Sequence, residues 1–303
     1  MSQSNVSTWL AFAVQQMAAE SYLDGIALSN DSGIITRLKL GNNNPLFNDP
    51  DNPNLSGKTR FVDLNGVPSA NQVVGSAQAF VSRYDIIDHH ANDATGFSAT
   101  LMRDTTTGEY TLSFRSTEYR DQSEGGDYER DGVFAAPLTF AADGEIGADG
   151  FAFGQLAAME NYYLELTTSG RLPVGATLNV TGYSLGGHLA TIFTELHAND
   201  PDIVFGHTYT FNGAGRGHIN GPGATEIARI DGMLDLLHEV LFNPEAGVSH
   251  VVNGLTNPRY LAASGFGRTT VHAFYERNNP RWGRQYLHRC PLSLGRGGGD
   301  HGL

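Results

Sequence analysis

Residues 180–190 read VTGYSLGGHLA. A β-branched run ending at Thr181 enters G-x-S-x-G, and an apolar helix pattern leaves it through Leu189, Ile192, Phe193 and Leu196. Between a strand and a helix, such a turn forces its serine out at the carboxyl edge of a sheet. Gly182 and Gly186 flank Ser184, where a side chain would collide with the neighbouring strand or helix. The helix N-terminus adds partial positive charge and N–H donors at the place where an oxyanion would form. A chain this rich in glycine yields the bare motif by chance about 0.3 times, so context carries the weight. An ordinary structural turn is the alternative.

Outward from the turn, the pattern alternates. GFAFGQLAAMENYYLELTTSG (150–170) has helical spacing closed by Gly170, and ATLNVT (176–181) reads as a strand. HTYTFN (207–212) reads as another, and EIARIDGMLDLLHEVLF (226–242) is helical through Ile230, Met233, Leu234, Leu237 and Leu241. VSHVVN (248–253) and TTVHAFYE (269–276) have strand character. This alternation after residue 150 predicts an α/β fold with a mainly parallel sheet covered on both faces.

Upstream, FSATLMR and EYTLSF flank DTTTG as an antiparallel hairpin, followed by a charged loop of some thirty residues. The N-terminus predicts a helix over Thr8–Tyr22, then a strand in GIITRLKL (33–40). The Asn, Asp, Pro and Gly of GNNNPLFNDPDNPNLSGK then mark a loop between an N-terminal arm and the body. A single domain over 1–303 is expected, with an arm at 1–58 and a flexible, glycine-rich tail at 290–303.

The net charge of −13 argues against tracking nucleic-acid phosphates, which takes clustered Lys and Arg. Cys290 is the single cysteine, which excludes an intrachain disulfide framework and a Cys-based zinc cluster. The N-terminus lacks the basic segment of a secretory signal, and no run approaches the ~18 apolar residues of a membrane span. The expectation is a soluble protein, secreted without a cleaved signal peptide or else cytoplasmic.

Acyl transfer at Ser184 needs a second oxyanion donor from a loop after another strand. YTLSFRSTE (110–118) offers one. Here the sequence resembles the class 3 lipases of the α/β-hydrolase fold, whose F-R-G-[ST] strand end lies upstream of a G-[HY]-S-L-G-G elbow. Phe114, Arg115 and Thr117 match, with Ser116 in place of glycine. GFAFGQLAAMENY is similar to the family's helix start, and YTFNGAGRG stands where the family has T-F-G-x-P-R. The resemblance spans roughly 97–240, and its Asn-Gly-Ala-Gly form suggests a divergent bacterial branch. It implies that Thr117 donates its N–H and hydroxyl to the oxyanion and that Leu185 donates its N–H.

A serine attacks an ester only if an imidazole takes its proton and a carboxylate orients that imidazole. In chain order the acid should come second and the histidine last. The family's acid pattern sets Asp235 at the matching distance from Arg229, with Asp231 and Glu245 as competitors and a solvated helix face as the plain alternative. His288 is best placed for the base, ahead of His250 and His272, which sit in strand-like runs. His188 is expected to be a packing or surface residue.

These readings favour a cofactor-independent hydrolase of lipid acyl esters, a lipase or A1-type phospholipase, meeting its substrate at a membrane or emulsion interface. A soluble short-chain esterase is the runner-up. The rival is a noncatalytic calcium- or surface-binding module, suggested by NDPDNPN, DQSEGGDYERDG and DGEIGADG, whose oxygens offer Ca2+ ligands without EF-hand spacing. The stretch EYRDQSEGGDYERDG (118–132) stands where the family has its lid. Its Arg, Tyr and acidic residues suit a zwitterionic head group better than oil.

Overall fold

The computed structural model describes residues 3–41, 60–62, 72–74, 76–118, 126–132, 134–135, 139–219 and 223–242. Helices α1 (Gln3–Ala19) and α2 (Asp31–Leu40), a short parallel pair β1 (Arg60–Val62) and β2 (Gln72–Val74), and helix α3 (Ala77–Arg83) come first. Strands β3 (Tyr84–His90), β4 (Ala99–Asp104) and β5 (Tyr110–Phe114) follow, then α4 (Tyr128–Asp131) and the pair β6 (Phe134–Ala135) and β7 (Thr139–Phe140). After α5 (Ala142–Asp149) and α6 (Phe153–Thr168), the chain alternates through β8 (Ala176–Tyr183), α7 (Leu185–His197), β9 (Ile203–Phe211) and α8 (Glu226–Phe242).

The central sheet has the order β3-β4-β5-β8-β9. Its β3/β4 and β4/β5 pairs are antiparallel, and β5/β8 and β8/β9 are parallel. Successive residues of a strand point to opposite faces. Leu101 and Met102 of β4 accordingly enter two different cores. Leu101 packs with Phe114, Leu156, Met159, Val180, Phe193 and Leu234, beneath α6, α7 and α8. Met102 packs with Ala18, Leu38 and Phe80, beneath α1, α2 and α3. A mixed sheet with helices on both faces, and a strand–turn–helix leading from β8, the strand between β5 and β9, has the α/β-hydrolase architecture.

Several stretches differ from their sequence reading, among them the charged loop after β5, which holds α4, β6 and β7. GIITRLKL is helical, because the Asn30 side chain accepts from the Gly33 N–H, Ile34 and Leu38 are buried one turn apart, and Gly41 ends the helix at φ 63°. Asp31 in the first turn and Arg37 and Lys39 in the last also suit the helix dipole. DGEIGADG is mostly helix α5, closed by Gly150 at φ 85°, whose N–H reaches the carbonyls of Glu145 and Ile146. The predicted first helix starts earlier, at Gln3, and it packs on β4, β5, β8 and β9. No helix among the described residues is long and apolar enough to cross a membrane.

Candidate active site

Strand β8 delivers Ser184 to the carboxyl edge of the sheet in a backbone conformation, φ 52° and ψ −114°, that L-residues rarely adopt. Neighbouring backbone holds it there. The Ser184 N–H donates to the Phe211 carbonyl at 3.0 Å, and its own carbonyl accepts from Gly187, His188 and Ala214. A Cβ on Gly182 would strike the Gly186 carbonyl, and one on Gly186 would strike the carbonyls of Phe114 and Arg115. The turn is thus wedged between the ends of β5 and β9.

The β5/β8 ladder pairs Phe114 with Gly182, so the loop after β5 emerges at the same edge as Ser184. Leu185, the first residue of α7, is buried with Ala142, Ile146 and Ala152. Being in the first turn, its N–H has no intrahelical acceptor. Among the described residues, neither that N–H nor the Thr117 N–H has a hydrogen-bond acceptor.

Three carboxylates, one just past α1 and two on helices α4 and α5, hold the loop. Glu20, just past α1, accepts from the Ser116 N–H at 3.2 Å and from the Ser116 hydroxyl at 2.7 Å. Asp143 of α5 accepts from the Thr117 hydroxyl at 2.9 Å, so the hydroxyl expected to face the oxyanion is instead held by a carboxylate. Asp131 of α4 accepts from the Glu118 N–H at 3.0 Å. Burial pushes all three carboxyls up, Asp143 to about 6, against the opposing pull of these hydrogen bonds. Arg115 lies over the Tyr22 ring and pairs with Glu118 at 2.9 Å.

His188 is fully buried. Its Nδ1–H donates to the Gly215 carbonyl at 2.5 Å, and its Nε2 accepts from the Ala152 N–H at 3.2 Å. Both nitrogens are therefore occupied in packing, and burial depresses the imidazole to about 4. Among the described residues, no imidazole hydrogen-bonds to the Ser184 hydroxyl. Asp235 and Asp231 are exposed on α8. His250, His272, His288 and Glu245 lie outside the described residues.

Within 118–132, the carboxylates of Glu118, Asp127 and Asp131 are buried. Glu118 accepts from Tyr22 and Asn92, and Asp127 pairs with Arg130. Glu145 lies against the N–H groups of Phe153 and Gly154, and burial raises it to about 8. Among the described residues, no group of three His, Cys, Asp or Glu side chains is placed to hold a metal ion.

Sequence reading missed Glu20 and the anchoring roles of Asp131 and Asp143, and it placed Asp131 among the acidic groups that would meet a head group rather than on the Glu118 N–H. Asp143 stood in it only as one oxygen of an acidic loop. Nothing local marks these residues, because their partners lie between 13 and 96 positions away.

What fold and site define together is an α/β-hydrolase fold with a serine-bearing elbow beside a carboxylate-held loop. No protein-family model matches the sequence, and no curated protein matches it. Among solved structures it is similar to the Lip2 lipase of Yarrowia lipolytica, with 15% identity and a TM-score of 0.35 over 77% of this chain and 64% of that one. It is also similar to lipase II of Rhizopus niveus, with 14% identity and a TM-score of 0.34 over 72% of this chain and 66% of that one. The chain spans less than two thirds of either lipase. Likeness of this degree assigns neither an activity nor a residue.

Proposed function

We propose that this chain is a serine carboxylic ester hydrolase acting on lipid acyl esters, of the class 3 lipase type and its bacterial branch. One observation carries the reading: Ser184 is held in a strained turn at the sheet edge where the Thr117 and Leu185 N–H groups have no acceptor among the described residues. Strain of this kind persists only when the surroundings over-determine it, and it clusters at functional sites.

In the proposed reaction the Ser184 hydroxyl attacks the acyl carbon, and the negative charge that develops on the former carbonyl oxygen is met by those two N–H groups. An imidazole takes the serine proton and returns it to the leaving alcohol, and water then hydrolyses the acyl-enzyme. We assign that imidazole to His288 and its orienting carboxylate to Asp235. An exposed carboxylate can be reached by an imidazole without displacing packed side chains. No cofactor enters these steps.

The test is hydrolysis of a chromogenic acyl ester together with labelling by a fluorophosphonate. Ser184→Ala should stay folded and lose ester hydrolysis by several orders of magnitude, and the probe should label Ser184. Retained turnover in Ser184→Ala would sink the reading.

A further inference from the structure

Resting on that reading, the geometry points to Glu20 as a positioning residue for the oxyanion loop, acting through Ser116. Glu20 is buried, with 6% of its surface exposed. Donors from two sides converge on it. Beyond the two bonds from Ser116, the Gln16 amide donates to it at 2.7 Å. The same amide donates to the Phe114 carbonyl at 2.9 Å, and the Ser113 hydroxyl donates to the Gln16 side-chain oxygen at 2.8 Å. Arg115 donates to the Glu20 backbone carbonyl at 3.2 Å. The end of α1 and the residue after it therefore hold Ser113, Phe114, Arg115 and Ser116 in succession.

The chemistry of Ser116 explains why a carboxylate stands there. Where the resembling family has glycine, this chain has a hydroxyl, and a buried hydroxyl without a partner is costly. Glu20 accepts from both the hydroxyl and the N–H of that one residue, which fixes the peptide plane on its N-terminal side. The Thr117 side chain, tied to Asp143, fixes the other. Between these anchors the Thr117 N–H is left to point along one direction. Removing Glu20 frees the first anchor, so the donor meets the oxyanion less well in the transition state, while ester binding changes little.

The experiment measures kcat and KM of the full chain for a chromogenic ester, with Glu20→Ala, Glu20→Gln, Ser116→Ala and the Glu20→Ala/Ser116→Ala pair. Melting curves confirm that each variant is folded at the assay temperature. Glu20→Ala should lower kcat between about 10- and 100-fold with KM within about twofold. Glu20→Gln, which keeps one acceptor oxygen for Ser116, should recover part of that loss. The double variant should be no worse than Glu20→Ala alone, because the two changes break one contact. A folded Glu20→Ala with wild-type kcat, or fully additive losses, would overturn the assignment while leaving Ser184 in place. If Glu20→Ala does not fold, wild-type kcat in both Glu20→Gln and Ser116→Ala overturns it. A wild-type protein that neither hydrolyses the ester nor reacts with the probe overturns the hydrolase reading and this assignment together.

Discussion

The Thr117 hydroxyl donates to the Asp143 carboxylate across 2.9 Å, joining the loop after β5 to the first turn of α5. The bond points the threonine side chain and steadies the N–H proposed to meet the oxyanion. Thr117→Val should therefore lower kcat by roughly 10²-fold with little change in KM. Steady-state kinetics on a short acyl ester would decide it, and an unchanged kcat would confine Thr117 to its backbone.

Asp143 also predicts a pH-dependent stability. Its carboxyl titrates at about 6 in the folded chain and near 4 when unfolded. Between those values the folded form binds more protons, so this group's contribution falls as pH rises through that window. Asp143→Asn keeps an acceptor for Thr117 and removes the buried charge. It should be more stable than wild type above pH 6, with the gap closing towards pH 4. Urea midpoints measured across that range would show it, and a gap independent of pH would refute it.

His188 gives the opposite slope. Its imidazole is held neutral with a value of about 4, against about 6.5 in an unfolded chain. Between those values the unfolded form binds more protons, so stability is lost as pH falls from about 6.5 to about 4. His188→Asn, whatever its absolute stability, should lose less over that interval. Parallel midpoint curves for the two proteins would count against the argument.

The proton relay calls for a comparison among His250, His272 and His288. One alanine substitution should match the loss in Ser184→Ala, and His288 is the expected one. Asp235→Asn should then cost activity by orders of magnitude, as misorienting a catalytic imidazole does. Near-normal activity in that variant would move the role to Asp231 or Glu245.

For the substrate, fatty-acid release from matched phosphatidylcholine and triglyceride emulsions, with calcium and with chelator, separates the readings. Glu118, Asp127 and Asp131 face inward, so any head-group contact from 118–132 falls to the remaining charged and tyrosine side chains. Appreciable phosphatidylcholine cleavage is expected. Triglyceride cleavage alone would remove the head-group argument, and stimulation by calcium that chelator abolishes would show calcium bridging acidic groups of the protein to lipid phosphate, where indifference to chelator would exclude it.

Locally patterned features were legible in the sequence. The Leu189, Ile192 and Phe193 face of α7 and the hairpin of β4 and β5 rest on neighbours within a few residues, and the glycines beside Ser184 show as a motif, although what crowds Gly186 is the distant Phe114 and Arg115. GIITRLKL misled because its β-branched start outweighed the Asn30 cap and the Gly41 stop. Strand β3, YDIIDHH, carries Asp and His along much of its length and gives little apolar alternation to read. The carboxylates around residues 116–118 escaped for another reason, since their roles exist only once distant helices meet the sheet edge.

The contacts around Gly182, Gly186 and Gly187 bear on protein engineering. The elbow is not a portable cassette. Residues 180–190 grafted onto another scaffold would arrive without the Phe114 and Arg115 carbonyls that fit against Gly186, and without Gly213, which lets α7 approach the chain after β9. They would also lack the Phe211 carbonyl and the Ala214 N–H that pin Ser184 from either side. A transplant that preserves the serine's geometry has to carry three pieces of chain, the ends of both flanking strands as well as the turn.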